Sequence, residues 1–283
     1  MTIRTLPHLQ YLGFQLIQPA PELREFVQDY WFVQSHDTTL YREEFLHPTG
    51  GVGIILNYGD VFSLDNQLVT AKMCLDGANT FSRRLNFAGH VNAVGVRFKT
   101  AGAYPFFKMP IFEIIDHPYD LLDLQIPHIH NIYEQVYEAT SIYKQAQLLN
   151  NWLLHLLNTN RIADATVQGA IQHLQQSHGI KSVQAIGDQI GISTRQLQRQ
   201  YKTQIGISPK HYARLLRVDH VRTVIKTQAN PSFADVACQT GYYDQSHLIR
   251  EFKSVVGMTP GAYVERHLQR NDYSATNAET SHT

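Results

Sequence analysis

Four long polar side chains, Arg195, Gln198, Arg199 and Lys202, follow one another at spacings of three and four residues. On a helix that spacing gathers them onto one face. Fifty-one positions later the pattern returns as Ser246, Ile249, Arg250 and Lys253, with Gln245 and His247 alongside. An arginine fork held by a rigid element can bond both acceptors on a guanine edge, and glutamine can do the same for adenine. Lysine suits a phosphate oxygen. Ile249 is the odd member; an isoleucine on an exposed face is explicable if it meets a thymine methyl group. The chemistry on offer is edge-by-edge recognition of a polyanion.

Such side chains need a rigid mount, and the surrounding sequence supplies one twice. GISTRQLQRQYKTQIGISPKHY (191–212) and GYYDQSHLIREFKSVVGMTPGAY (241–263) agree at Gly191/Gly241, Leu197/Leu248, Arg199/Arg250, Gly206/Gly257, Pro209/Pro260 and Tyr212/Tyr263. A repeat of this kind defines a structural unit. Each copy opens with a short helix capped by Ser182 or Ser232 and then reaches a glycine suited to a left-handed turn. Ser193, with Gln196 three residues on, or Asp244 caps the next helix. Ser208-Pro209 and Thr259-Pro260 start a further one. Helix, short glycine turn and helix make a helix-turn-helix. Leu197, Tyr201 and Ile205, like Leu248 and Phe252, form the inward stripe.

This double unit closely resembles the DNA-binding domain of AraC/XylS-type bacterial transcription regulators. The motifs that carry the likeness are GIS…LQRQYK…GISPKHYARLLRV and FADVACQTGYYDQSHLIREFKSVVGMTPGAYVERH, over about 165–268. The resemblance implies a seven-helix domain with two helix-turn-helix units joined by a long helix at about 209–228. Recognition helices would lie at about 194–205 and 245–255 and enter successive major grooves. Base-facing positions would be Arg195, Gln198 and Arg199, then Gln245, Ser246, His247, Ile249 and Arg250. Lys202 and Lys253 complete the expected DNA-contacting set. Tyr201 and Tyr243 stand where the family favours phenylalanine.

The first half has a different texture. YWFVQ (30–34), VGIILNY (52–58), QLVTAKM (67–73), FSRRLNF (81–87) and VNAVGVRF (91–98) are short β-type runs separated by turn material, and PELREFV (21–27) predicts a brief helix. Such spacing predicts a barrel or sandwich. Ile142, Ala146, Leu149, Leu153 and Leu156 then mark an amphipathic helix over 141–157, which could pack on its own barrel or pair with a twin in a dimer. More loosely, this half resembles the sensor domains that precede the family's DNA-binding domain, which bind a small effector, dimerise, or both. The expected fold class is α+β: a β-barrel-like (cupin-like) sensor domain over 1–160, an all-α double helix-turn-helix domain over 165–270, and a disordered tail over 271–283. The linker is expected near 158–165.

Composition agrees with a globular chain of two domains: 283 residues, 43% hydrophobic and 17% charged. The zero net charge hides a division. Residues 1–164 hold 11 Lys and Arg against 16 Asp and Glu, whereas 165–270 hold 13 against 6. A basic half beside an acidic one points to a polyanion partner for the former. Two cysteines build no disulfide framework, no apolar run approaches a membrane span, and the N-terminus lacks a signal-peptide layout; a cytoplasmic protein with no membrane partner is expected.

Rival chemistry is thin. His128, His130 and Glu134 have the H-x-H-x3-E spacing of cupin metal sites, but they follow Pro127, past the last good strand, where an exposed loop runs into a helical region that starts at Tyr133–Glu138. Cys74 in a strand pattern reads as inert packing. Arg97 and His90 could face an acidic effector. The expectation is a non-enzymatic regulator without cofactor or metal. Its partners would be double-stranded promoter DNA, a small-molecule effector, RNA polymerase if it activates, and a second copy if it dimerises.

Overall fold

The computed structural model describes residues 3–5, 9, 12–35, 41–107, 109–126, 128–158, 164–228 and 230–269. The linker at 159–163, Pro127 and the tail from 271 lie outside the described residues.

The first half is built from two antiparallel sheets. Strands β1 (Ile3–Thr5), β2 (Gln15–Ile17), β3 (Val27–Ser35), β5 (Gly53–Asn57), β8 (Met73–Asp76), β10 (Val91–Phe98) and β11 (Pro118–Asp120) form one, in the order β1-β2-β3-β10-β5-β8-β11. Strands β4 (Tyr41–Leu46), β6 (Phe62–Leu64), β7 (Gln67–Val69) and β9 (Arg83–Ala88) form the other, in the order β4-β9-β6-β7. The sheets face each other without closing, so the barrel-like expectation resolves to an open, two-sheet arrangement. The run QLVTAKM, expected as one strand, is split: Gln67–Val69 ends the small sheet and Met73 opens a strand of the large one. The predicted helix at 21–27 is a short 3-10 turn, Pro21–Leu23, because strand β3 already begins at Val27.

Alternation along β3 explains the layers. Tyr30 and Phe32 point into the main core, which continues through Ile54, Leu56, Val94 and Val96 to Leu149, Trp152 and Leu153. Those last residues sit on α3 (Ile142–Asn158), which follows α1 (Tyr104–Phe107) and α2 (Ile129–Glu138). The stripe of α3 therefore packs on its own sheet. The opposite face of that sheet meets the small one through Phe62, Leu64, Cys74 and Phe87.

The second half is helical: α4 (Ala165–Gln176), α5 (Val183–Ile190), α6 (Thr194–Gln204), α7 (Pro209–Lys226), α8 (Phe233–Gln239), α9 (Gln245–Val256) and α10 (260–269). Its core joins Leu197, Tyr201 and Ile205 to Leu248, Phe252 and the α7 residues Leu215, Val218 and Val221, all buried. Ala101 belongs to the same cluster and Ile115 packs on it, so the β-rich half contributes to this core.

Candidate nucleic-acid interface

Two helix-turn-helix units, α5–α6 and α8–α9, hang on α7. Their caps are hydrogen-bonded. Ser182, Ser193, Ser208, Ser232 and Asp244 accept from the backbone N–H groups of Ala185, Gln196, His211, Asp235 and His247. Each cap satisfies a donor that a bare helix start would leave open. Gly191 and Gly241, the turn residues of the two units, both have φ of 76°, a left-handed backbone that side chains resist. The units fold alike because each has a left-handed glycine in its turn and an oxygen-bearing side chain, Ser193 or Asp244, capping its second helix.

With Leu197 and Tyr201 buried on one side of α6, Arg195, Gln198, Arg199 and Lys202 are exposed on the other. On α9, Leu248 and Phe252 are buried while Gln245, Ser246, Arg250 and Lys253 are exposed. Ile249 departs from expectation. It is half-buried and packs against the helical core, so its apolar character is explained by packing on one side, with only part of the side chain facing out. His247 is also half-buried, its ring 5.2 Å from that of Tyr242 and its Nε2 3.8 Å from Glu251. Lys202 holds its ammonium 4.9 Å from the centre of the Phe112 ring, which belongs to the β-rich half.

Glu251 was missed by sequence reasoning. It lies 3.4 Å from Arg217 Nη2 and 3.8 Å from Arg214 Nε, which ties α9 to α7. Its equivalent in the first unit, Gln200, instead donates to the carboxylate of Asp164, which caps α4. The fifty-one-residue offset marks both positions, but only the fold reveals their partners.

A second feature lies between the sheets. A cavity of ≈ 670 Å³ is lined by Trp31, Val33, Ile55, Phe87, Asp76 and Arg97 among others, and the helical half supplies Arg222, Lys226, Tyr263 and Arg266 to its wall. Arg97 and His90 both reach it, and Arg97 Nη1 lies 3.8 Å from Asp29 Oδ2. Burial raises the Asp76 carboxyl to about 6, against the opposing pull of Arg83, whose buried guanidinium is 3.8 Å away.

The rival motifs land elsewhere. His128 is the N-cap of α2, so His130 joins Glu134 on the helix rather than lying in a loop; all three are exposed. The helix starts earlier than expected because Ile129, Ile132 and Val136 bury one stripe. Among the described residues no group of three or more His, Cys, Asp or Glu is placed to hold a metal ion. Burial, reinforced by Asp76 and Asp120, pushes the Cys74 thiol up to about 12, which leaves it without thiolate near neutral pH. No helix among the described residues is long and apolar enough to cross a membrane.

Residues 186–266 match a family described as a helix-turn-helix domain. The chain is also similar to the HTH-type transcriptional activator RhaR of Klebsiella pneumoniae, 32% identical over 79 residues. The helical half of this chain carries a helix-turn-helix domain of the AraC/XylS type. The RhaR match spans 28% of this chain and 28% of that protein; RhaS of Escherichia coli is 32% identical over 27% of each. The likeness to these AraC/XylS relatives is thus confined to just over a quarter of their length. Residues 15–120 match a domain of unknown function (DUF6597). Over 79% of this chain and 97% of the other, the fold can be laid on ToxT from Vibrio cholerae at 12% identity and a TM-score of 0.44.

Proposed function

We propose that this protein is a sequence-specific transcription regulator that reads promoter DNA through α6 and α9 and responds to a small effector held between its sheets. One observation carries the reading. Two helix-turn-helix units in one chain, each with a side-chain-capped second helix, expose an arginine, Arg199 or Arg250, opposite a buried leucine stripe. The basic balance of this half supports it, since phosphate contacts supply much of protein–DNA affinity. The two helices would read half-sites about one helical turn, ~10 bp, apart. Arg195, Gln198, Arg199, Gln245, Ser246, His247 and Arg250 face the bases in this reading, Ile249 with its outward edge, and Lys202 and Lys253 meet phosphates.

The cavity, apolar for the most part with Arg97 and His90 at hand, is the effector site in this reading. The reading makes the protein cytoplasmic and non-enzymatic, a promoter-bound partner of RNA polymerase where it activates, and dimeric where a second copy occupies the adjoining site. Genomic footprinting of the full chain is the decisive test: protected sites should hold two short elements about one turn apart. Arg199→Ala and Arg250→Ala should each cost about 1–3 kcal/mol and relax preference at a single base position. Footprints without a shared sequence, or affinity and preference untouched by both substitutions, would overturn the reading.

A further inference from the structure

The repeat places one tyrosine at the same position of each unit, Tyr212 and Tyr263, and a single loop of the β-rich half touches both. That loop, 47–51, joins β4 to β5. Gly50 lies so close to Tyr212 that a β-carbon there would stand 2.7 Å from the ring, at a φ of +71°. The His47 ring packs edge-on to Tyr263 at 5.8 Å.

Both contacts continue as hydrogen bonds. Gln175 Nε2 donates to Tyr212 Oη at 2.9 Å, Tyr212 Oη and Thr100 Oγ1 are 3.1 Å apart, and Thr100 Oγ1 donates to Thr49 O at 3.4 Å. With the Tyr212 hydroxyl donating to Thr100, each hydroxyl gives one proton and receives one, and a continuous chain runs from α4 through α7 to the loop. On the other side His47 Nδ1 is 2.7 Å from Ser82 Oγ, and the Ser82 backbone N–H donates to Val255 O in the last turn of α9 at 2.6 Å. One loop is therefore bonded toward both helix-turn-helix units. His47, Pro48, Thr49 and Gly51 also form part of the cavity wall.

We propose that loop 47–51 is the element that couples the cavity to both DNA-reading units, so that a molecule seated in the cavity alters how α6 and α9 are held relative to each other. The proposal rests on the reading of the cavity and the helices given above. A tight loop locked to two packed elements passes on a displacement because packed contacts switch rather than stretch. Coupling of this kind is reciprocal, so DNA on the helices must also be felt in the loop.

Thr100→Val tests it, because valine keeps the shape and removes the hydroxyl that joins Thr49 to Tyr212. Hydrogen exchange on the DNA-free full chain should quicken about fivefold at 47–51 and 208–214, as one lost hydrogen bond implies, and also at 260–267, which Thr100 does not touch. Exchange over 149–156 should be unchanged, which certifies the fold. Tyr212→Phe, which breaks the same chain from the other half, should reproduce the pattern if Thr100→Val fails to fold. Quickening limited to 208–214 would overturn the proposal.

In a second arm, duplex DNA from the chain's own footprinted site is added. Wild type should change its exchange at 47–51, and Thr100→Val should lose at least half of that change. A bound wild type with a silent loop would overturn the coupling. A wild type that binds no DNA would instead overturn the regulator reading, with the DNA-free arm still deciding the loop's role.

Discussion

Tyr201 stands in the core of the first helix-turn-helix unit, fully buried. Its hydroxyl has no hydrogen-bond partner among the described residues, and burial drives its ionisation far above the ordinary tyrosine range. Unfolding would return that hydroxyl to water. A buried hydroxyl left unpaired costs about 1–3 kcal/mol in proteins, so Tyr201→Phe should stabilise the chain by about 1–2 kcal/mol, allowing for some relaxation of the site. With a denaturant slope of about 2 kcal/mol/M, the urea midpoint of the helical half should rise by roughly 0.5–1 M. Far-ultraviolet circular dichroism at 222 nm, a wavelength about where helices absorb, follows that transition. Tyr212→Phe is the built-in control. Its ring centre is 6.2 Å from that of Tyr201, but its hydroxyl is bonded to both Gln175 and Thr100, so the same deletion should destabilise by about 1 kcal/mol or more. Two deletions with the same sign would refute the reasoning. So would a Tyr201→Phe protein less stable than wild type, because its hydroxyl would then have a partner.

Three further outcomes are expected. Gly191→Ala should cost about 1–2 kcal/mol from its left-handed backbone alone, since nothing lies within 4 Å of the added carbon; Gly241→Ala should cost somewhat more, because that carbon would stand 2.9 Å from Ile180. Paired urea titrations check the order. His211 is held below its ordinary value of 6.5, chiefly by burial and partly by Arg214, while its bond to Thr80 O and the charges of Asp116 and Glu251 pull the other way. The unfolded chain therefore takes up this proton first, and the His211 contribution is complete above 6.5 and lost as pH falls through the lowered value. His211→Gln should flatten the pH dependence of stability in that window. Lys202→Ala should weaken binding to all duplexes alike and reduce the slope of log K against log salt by roughly one, measured by fluorescence anisotropy.

Much of the helical half was legible because its signals are local. A serine accepts from an N–H three residues away, a glycine turns left where it stands, and a leucine stripe repeats within one helix; none of these waits for distant chain. The β-rich half was legible only in its longer strands. β1, β2, β6 and β11 are three residues each, too short to display alternation, and their identity comes from the strands they pair with. The same limit hid the sheet switch between Val69 and Met73. Ile249 was misjudged for a related reason, since helical spacing tells which face a residue shares but not how far a neighbouring element covers it.

From the sequence alone came the doubled unit, its caps and turns, the exposed polar face with Arg199 and Arg250, and the division of charge between the halves. Each is a property of residues within one or two helical turns. Tertiary structure alone decided that Glu251 ties α9 to α7, that two sheets enclose a cavity closed in part by Arg222 and Arg266, and that Tyr212 and Tyr263 meet the same loop. The loop and its tyrosines are 160 residues or more apart in sequence, and nothing in local periodicity records a contact made across that distance.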